Sequence, residues 1–273
     1  VNLALALGFG LLIGLSLGAL GGGGSILTVP ALVYAVGESA RSATTASLVI
    51  VGVTAGAATW GHARAGRVRW RAGSAFGTAG VAASFAGTKL NARVNPQVLL
   101  ICFAVLMIIA ATAMLARTMV HVHPEELRAD TRADQLRRGP AVTRPEHPRM
   151  GLALAFPVLA AGIVVGFLTG FLGVGGGFVI VPALVLTLGY EMPTAVGTSL
   201  LIISLNSLVA LVARGGHSSF HWSVIIPFTI AAIVGSAGGR RLSGRASGAQ
   251  LTRAFAVLLL IVAGYVLLRA SLG

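Results

Sequence analysis

Long apolar runs alternate with short polar breaks along the chain. The runs stand at 1–20, 25–37, 42–60, 72–88, 96–116, 151–172, 177–189, 195–213, 222–239 and 250–269. A helix crosses a bilayer with about 20 apolar residues, and most of the runs come close to that length. The run at 25–37 is too short to cross upright. It follows Gly21 to Gly24, as the run at 177–189 follows Gly173 to Gly177. Clustered glycines inside apolar sequence are where a membrane helix can break. The pattern predicts two helical hairpins with glycines at their tips, each followed by three crossings. Pro96 suits the first position of its helix.

Residues 117–150 depart from this pattern. Arg117, Arg128, Arg132, Arg137, Arg138, Arg144 and Arg149 mix with Glu125, Glu126, Asp130, Asp134 and Glu146, and nothing apolar is long enough to build a core. This stretch reads as a hydrophilic linker with a short helix near 124–138. The chain divides into a first transmembrane repeat at 1–116, a basic linker at 117–150 and a second transmembrane repeat at 151–273.

The halves are copies. Leu20-Gly21-Gly22-Gly23-Gly24-Ser25 with Val29-Pro30-Ala31-Leu32 answers to Leu172-Gly173-Val174-Gly175-Gly176-Gly177 with Val181-Pro182-Ala183-Leu184, at a constant offset of 152 positions. Trp70 and Trp222, Gly87 and Gly239, and Phe103 and Phe255 keep the same register. So long an ungapped match is internal duplication.

Composition narrows the class. The chain is 56% hydrophobic and 10% charged, with a mean hydropathy of +0.90, where soluble domains carry about 25% charged residues. It is an all-α polytopic membrane protein with the lipid bilayer as its surroundings. The net charge of +13 does not point to nucleic acid, because the basic residues sit in short segments between apolar runs, as topology determinants do. A hairpin plus three crossings is an odd number, which inverts the second repeat. Inversion collects Arg64, Arg67, Arg69, Arg71, the linker arginines, Arg240, Arg241, Arg245 and Arg253 on the cytoplasmic side, as the positive-inside bias requires. Both termini then lie outside. The first run lacks a basic segment before it, so no cleavable signal peptide is read there.

The candidate chemistry sits at the tips. A returning helix that starts at Ser25–Ile26 or at Gly177–Phe178 points free N–H groups and a positive dipole end into any cavity there, which suits an anion. Gly21, Gly23, Gly24, Ser25, Gly173, Gly175, Gly176 and Gly177 are the substrate-binding candidates of the tips. Ser47, Thr198 and Ser199 add hydroxyls, and Asn206 adds an amide that must find a partner within the span. Pro30 and Pro182 kink the returning helices. All seven acids, Glu38 and Glu191 among them, fall in loops or the linker, so no membrane-embedded carboxylate serves a cation or proton relay. Cys102 reads as a small core residue. His121 and His123 lack a third metal ligand. No cofactor, metal site or catalytic residue is indicated, and the chain is not read as an enzyme. On this reading Gly24→Val and Gly176→Val should each abolish transport, whereas Gly14→Ala should be mild.

The doubled Gly-x-Gly-Gly-Gly and Val-Pro-Ala-Leu motif, with Ala195, Gly197, Thr198, Ser199 and Leu200 after its second copy, resembles the TauE/SafE family. The first copy departs from it at Ser25 and at Thr45-Ala46. The resemblance implies a permease of the bacterial inner membrane that exports sulfite or organosulfonates such as sulfoacetate. The residues by themselves support a secondary transporter of small anions working by alternating access. A passive anion channel, or an importer of another oxyanion, is the second reading, and a non-transporting membrane scaffold a third. A homodimer is left open.

Overall fold

The computed structural model describes residues 3–38, 40–91, 93–120, 152–172, 177–213 and 221–272. The described residues are almost wholly helical and contain no strand. In chain order the helices are α1 (Leu3–Leu20), α2 (Gly23–Pro30), α3 (Ala40–Arg64), α4 (Trp70–Asn91), α5 (Pro96–Val120), α6 (Leu152–Leu172), α7 (Gly177–Leu186), α8 (Met192–Ala213), α9 (Trp222–Arg245) and α10 (Gly248–Leu272). A π-helical turn, Ala31–Ala35, continues α2. The linker helix expected near 124–138 lies outside the described residues, as do His121 and His123.

Among the described residues five helices, α3, α5, α8, α9 and α10, are long and apolar enough to cross a membrane. α4 has the length, but its glycines, alanines, serines and threonines make it less apolar. α1 with α2, and α6 with α7, form the shorter pairs at the glycine breaks. α2 starts at Gly23, two residues ahead of the expected position, and α7 starts at Gly177 as expected.

The duplication is written into the helix bounds. α1 and α6 end at Leu20 and Leu172, α4 and α9 begin at Trp70 and Trp222, and both ends of α5 and α10 lie 152 positions apart. The packing is exchanged between the halves. α1 packs along α9, and α6 packs along α4. Gly10, Gly14 and Gly18 of α1 face Phe228, Ala232 and Ser236 of α9, whereas Gly162, Gly166 and Gly170 of α6 face Phe76, Gly80 and Ser84 of α4. A Cβ at Gly10 would stand 2.7 Å from the Phe228 carbonyl oxygen, and one at Gly162 would stand 2.7 Å from that of Phe76. One glycine per turn lets two backbones meet where any side chain would hold them apart.

The packing corrects two expectations. Gly14 is not an indifferent position, because a Cβ there would run into the backbone of Ala232. Cys102 is exposed on α5 rather than in the core. In a bilayer the outer face of a helix is as apolar as its inner face, so hydropathy alone does not separate them.

Two apolar clusters hold the helices together. The larger gathers Phe103, Met107 and Met114 of α5, Phe178 and Leu184 of α7, Leu200 of α8 and Phe255 and Leu259 of α10. The smaller joins Ile13 of α1, Leu32 of the π turn, Ile50 of α3 and Phe228 of α9. The second hairpin sits in the larger cluster, whereas the first gives Ile13 and Leu32 to the smaller and Leu17 and Ile26 to the larger.

Candidate functional site

The first hairpin turns on Gly21. Its φ of +74° is left-handed backbone that costs an L side chain energy but glycine nothing. The Gly21 N–H donates to the Leu17 carbonyl at 2.8 Å, closing α1. Gly22 caps α2, and a Cβ on it would overlap the Gly177 carbonyl at the start of α7. Ser25 and Gly177, which hold the same place in the two repeats, also touch. The two hairpin tips therefore meet directly.

A cavity of about 790 Å³ opens beside this junction. α2 contributes Ser25, Ile26, Leu27, Val29 and Pro30. α3 adds Thr44, Ser47, Leu48 and Val51, and α8 adds Asn206 and Ser207. Ser84 and Thr88 of α4, Thr169 of α6 and Tyr265 of α10 extend the polar wall. Phe103 forms part of the boundary, its ring edge-on to Phe178 with centroids 4.9 Å apart. Phe178 belongs to α7, which lends the cavity no lining residue among those described.

Among the described residues no charged side chain lines this space. Most of its hydroxyls are committed to their own helices. Ser25 donates to the Gly22 carbonyl at 2.7 Å, Ser47 to Thr44 at 2.9 Å, Ser84 to Val81 at 2.7 Å and Thr169 to Val165 at 2.7 Å. A hydroxyl bonded back in this way offers lone pairs to the cavity until it rotates. Donors come from elsewhere. The first turn of α2 reaches the wall at Ser25 and Ile26, and its amides lack partners within the helix. Asn206 brings a carboxamide whose buried Oδ1 has no hydrogen-bond partner. A half-turn of that amide exchanges oxygen for NH₂, so it can meet either polarity. The Oδ1 is closed off from the cavity as it stands, beside Gly77, and the amide gains a partner there by turning toward a ligand or water.

The other predicted residues lie elsewhere. Thr198 is fully buried and its hydroxyl accepts the Arg69 backbone N–H at 3.2 Å, which pins the start of α4 to α8. Ser199 is also fully buried, donating to Val196 at 2.8 Å. A Cβ on Gly21 would stand 2.5 Å from its Oγ. Gly23 abuts Leu258, and Gly24 is pressed against α1 at the Ile13 carbonyl and Leu17. Valine at Gly24 therefore strikes the hairpin itself. Pro30 closes α2 where the backbone passes into the π turn, and Pro182 is buried within α7. Gly173, Gly175 and Gly176 lie outside the described residues. Ser25, Ser47, Pro30 and Asn206 are thus brought together on the cavity, and Gly21, Gly23, Gly24, Gly177 and Ser199 around the tips behind it, while Thr198 stands apart at the start of α4. Sequence reading missed Ser84, Thr88, Thr169 and Tyr265, which belong to no motif. The four-residue step from Ser84 to Thr88 on one helix face is the only sign of a polar stripe.

At the loop between α7 and α8, burial pushes the Tyr190 hydroxyl above its ordinary range, and the Arg69 guanidinium opposes that rise.

A family model described as "Sulfite exporter TauE/SafE" matches residues 6–266. A probable membrane transporter protein of Xylella fastidiosa strain Temecula1 is 33% identical, covering 98% of this chain and 96% of its own. One from strain 9a5c is 32% identical over the same shares. The probable membrane transporter protein YunE of Bacillus subtilis is 25% identical, covering 93% of this chain and 91% of its own. No solved structure matches the chain.

Proposed function

The chain belongs to the TauE/SafE family of membrane transporters, and from that premise we propose that it is a secondary transporter exporting small sulfur oxyanions or organosulfonates by alternating access between two inverted repeats. One observation carries this reading. Leu27, Thr44 and Leu48 line the cavity and are part-exposed. Their counterparts 152 positions on, Val179, Val196 and Leu200, are all buried. One sequence motif is thus open in one repeat and shut in the other. That is the form expected of a carrier at one end of its cycle, whereas a channel keeps both open at once.

Inversion is supported by the course of the helices. Gly52 and Gly56 of α3 approach Ser207 and Ser204 of α8 in reverse order, so these two equivalent helices run antiparallel. An Arg240 guanidinium N–H donates to the Gly61 carbonyl at 3.1 Å, which sets the basic end of α9 beside the basic end of α3. The positive-inside bias makes that end cytoplasmic, together with the linker, and leaves both termini on the far side of a bacterial inner membrane. The cavity lies at the opposite end, among the start of α3 and the ends of α4, α8 and α10, so it opens outward.

The anion would sit where the first turn of α2 and the Asn206 amide converge. Helix-end dipole and neutral donors stabilise charge there without a fixed counter-ion. The large share of apolar wall suits a substrate with a carbon skeleton as well as sulfite.

Purified protein in proteoliposomes tests the reading. Sulfite and sulfoacetate should move faster than in protein-free vesicles, saturably, and ahead of sulfate. Flux that rises linearly without saturation would favour the channel. A residue-135 cysteine that labels from outside intact cells would remove the inverted topology. No protein-dependent flux of any of the anions, thiosulfate included, would remove the transport reading.

A further inference from the structure

A second concavity lies on the flank of the helices, away from the transport cavity. It is a groove of about 150 Å³ between the last turns of α3 and the middle of α9, lined by Trp60, Gly61, Arg64, Ser236 and Arg240 above a floor of small apolar residues. The Arg64 guanidinium lies over the Trp60 ring, 5.1 Å from its centroid. Arg240 spends one N–H on the Gly61 carbonyl. Among the described residues the only carboxylate held in an ion pair is that of Glu38, and its partner is His221. Two arginines therefore share one small groove with no described carboxylate to balance them.

The surroundings say what kind of anion belongs there. Trp60 is 63% exposed, and an exposed tryptophan at a helix end marks the headgroup level of a bilayer. Nearer the middle of the same two helices, Val53, Ile230 and Val234 are exposed. They stand three or four residues before groove residues, so each shares a helix face with the groove. A phosphate held by the arginines would lead into acyl chains lying along that strip. A free oxyanion would use the arginines and leave the strip unexplained.

We propose that this groove binds one anionic phospholipid, its phosphate between Arg64 and Arg240 and its chains against Val53, Ile230 and Val234. The site bridges the halves, since α3 belongs to the first repeat and α9 to the second. The lipid would clamp them at that end.

The test uses the full chain with Trp70→Phe and Trp222→Phe, which leaves Trp60 as the sole tryptophan. The protein is reconstituted in phosphatidylcholine vesicles containing brominated phosphatidylglycerol or brominated phosphatidylcholine as the quencher. Brominated phosphatidylglycerol should half-quench Trp60 at a mole fraction lower by about fivefold, the preference that one arginine near a membrane surface supplies. Arg64→Gln should erase most of that preference, and Arg240→Lys should keep it. Equal quenching by the two lipids, which needs no arginine variant to be read, would overturn the proposal. So would relief of the phosphatidylglycerol quenching by inorganic phosphate but not by chloride of equal ionic strength, since that outcome marks a free-anion site.

Discussion

The Ser204 hydroxyl donates to the Gly52 carbonyl at 3.2 Å, and the two residues stand 152 positions apart. The repeat offset is therefore also a physical contact, and equivalent helices cross at equivalent residues. A Cβ on Gly52 would lie 3.0 Å from the Ser207 Cβ. Ser204→Ala should lower stability by only about 0.5–1.5 kcal/mol, the worth of one hydrogen bond. Gly52→Leu must separate α3 from α8 and should cost more, by about 1–3 kcal/mol of overpacking. Thermal unfolding of the detergent-purified variants ranks the two, and a Gly52→Leu midpoint at or above that of Ser204→Ala would contradict the crossing.

Gly8 and Gly14 lie on the same helix with opposite surroundings. Nothing stands within 4 Å of a Cβ at Gly8, whereas one at Gly14 meets the Ala232 backbone. Gly8→Ala should be neutral or stabilise by up to about 1 kcal/mol through helix propensity. Gly14→Ala and Gly24→Val should both reduce the fraction of monodisperse protein on size exclusion, and the folded remainder of Gly24→Val should bind anion normally. Equal monodispersity of Gly8→Ala and Gly14→Ala would argue against the α1–α9 seam.

Asn206 and Thr198 should separate binding from stability. Asn206→Leu removes the unpaired amide at the cavity wall and should raise the KM for anion flux by about tenfold or more, the worth of a hydrogen bond to a charged group. Thr198→Val strands the Arg69 N–H and should cost about 1–3 kcal/mol of stability with little effect on KM. A KM unchanged by Asn206→Leu would place the anion elsewhere.

Leu48 and Leu200 hold the same repeat position, one on the cavity wall and one fully buried. With the exposed Cys102 replaced by serine, Leu48→Cys should react with a charged thiol reagent and Leu200→Cys should not. Reversing the substrate gradient should slow the first reaction and speed the second. Reactivities that ignore the gradient would leave the cavity a static pocket.

Much of this architecture can be read from the chain because duplication and helix breaking leave local marks. Gly21, the repeat register from Trp70 to Trp222 and the matched bounds of α5 and α10 all follow from residue identity and spacing. The cavity wall does not. Ser84 and Thr169 look like ordinary back-bonded hydroxyls, and only the packing of α4 against α6 turns them to a shared space. Cys102 and Gly14 are harder still. Their roles depend on which side of an apolar helix faces lipid, and hydropathy is the same on both sides. The exchange that pairs α1 with α9 joins residues more than half the chain apart, with no local sign at either end.

That exchange sets the order in which the protein can be built. The helix that α1 must seat against, α9, is made roughly 200 residues later, a wait on the order of ten seconds or more at common synthesis rates. Throughout that interval the glycine face of α1 has nothing to close on, and the first half cannot reach its final packing however long it is given. α6 arrives to find α4 already waiting. The α4–α6 seam can therefore close before the α1–α9 seam, and a ribosome that stalls before α9 leaves the latter open in the membrane.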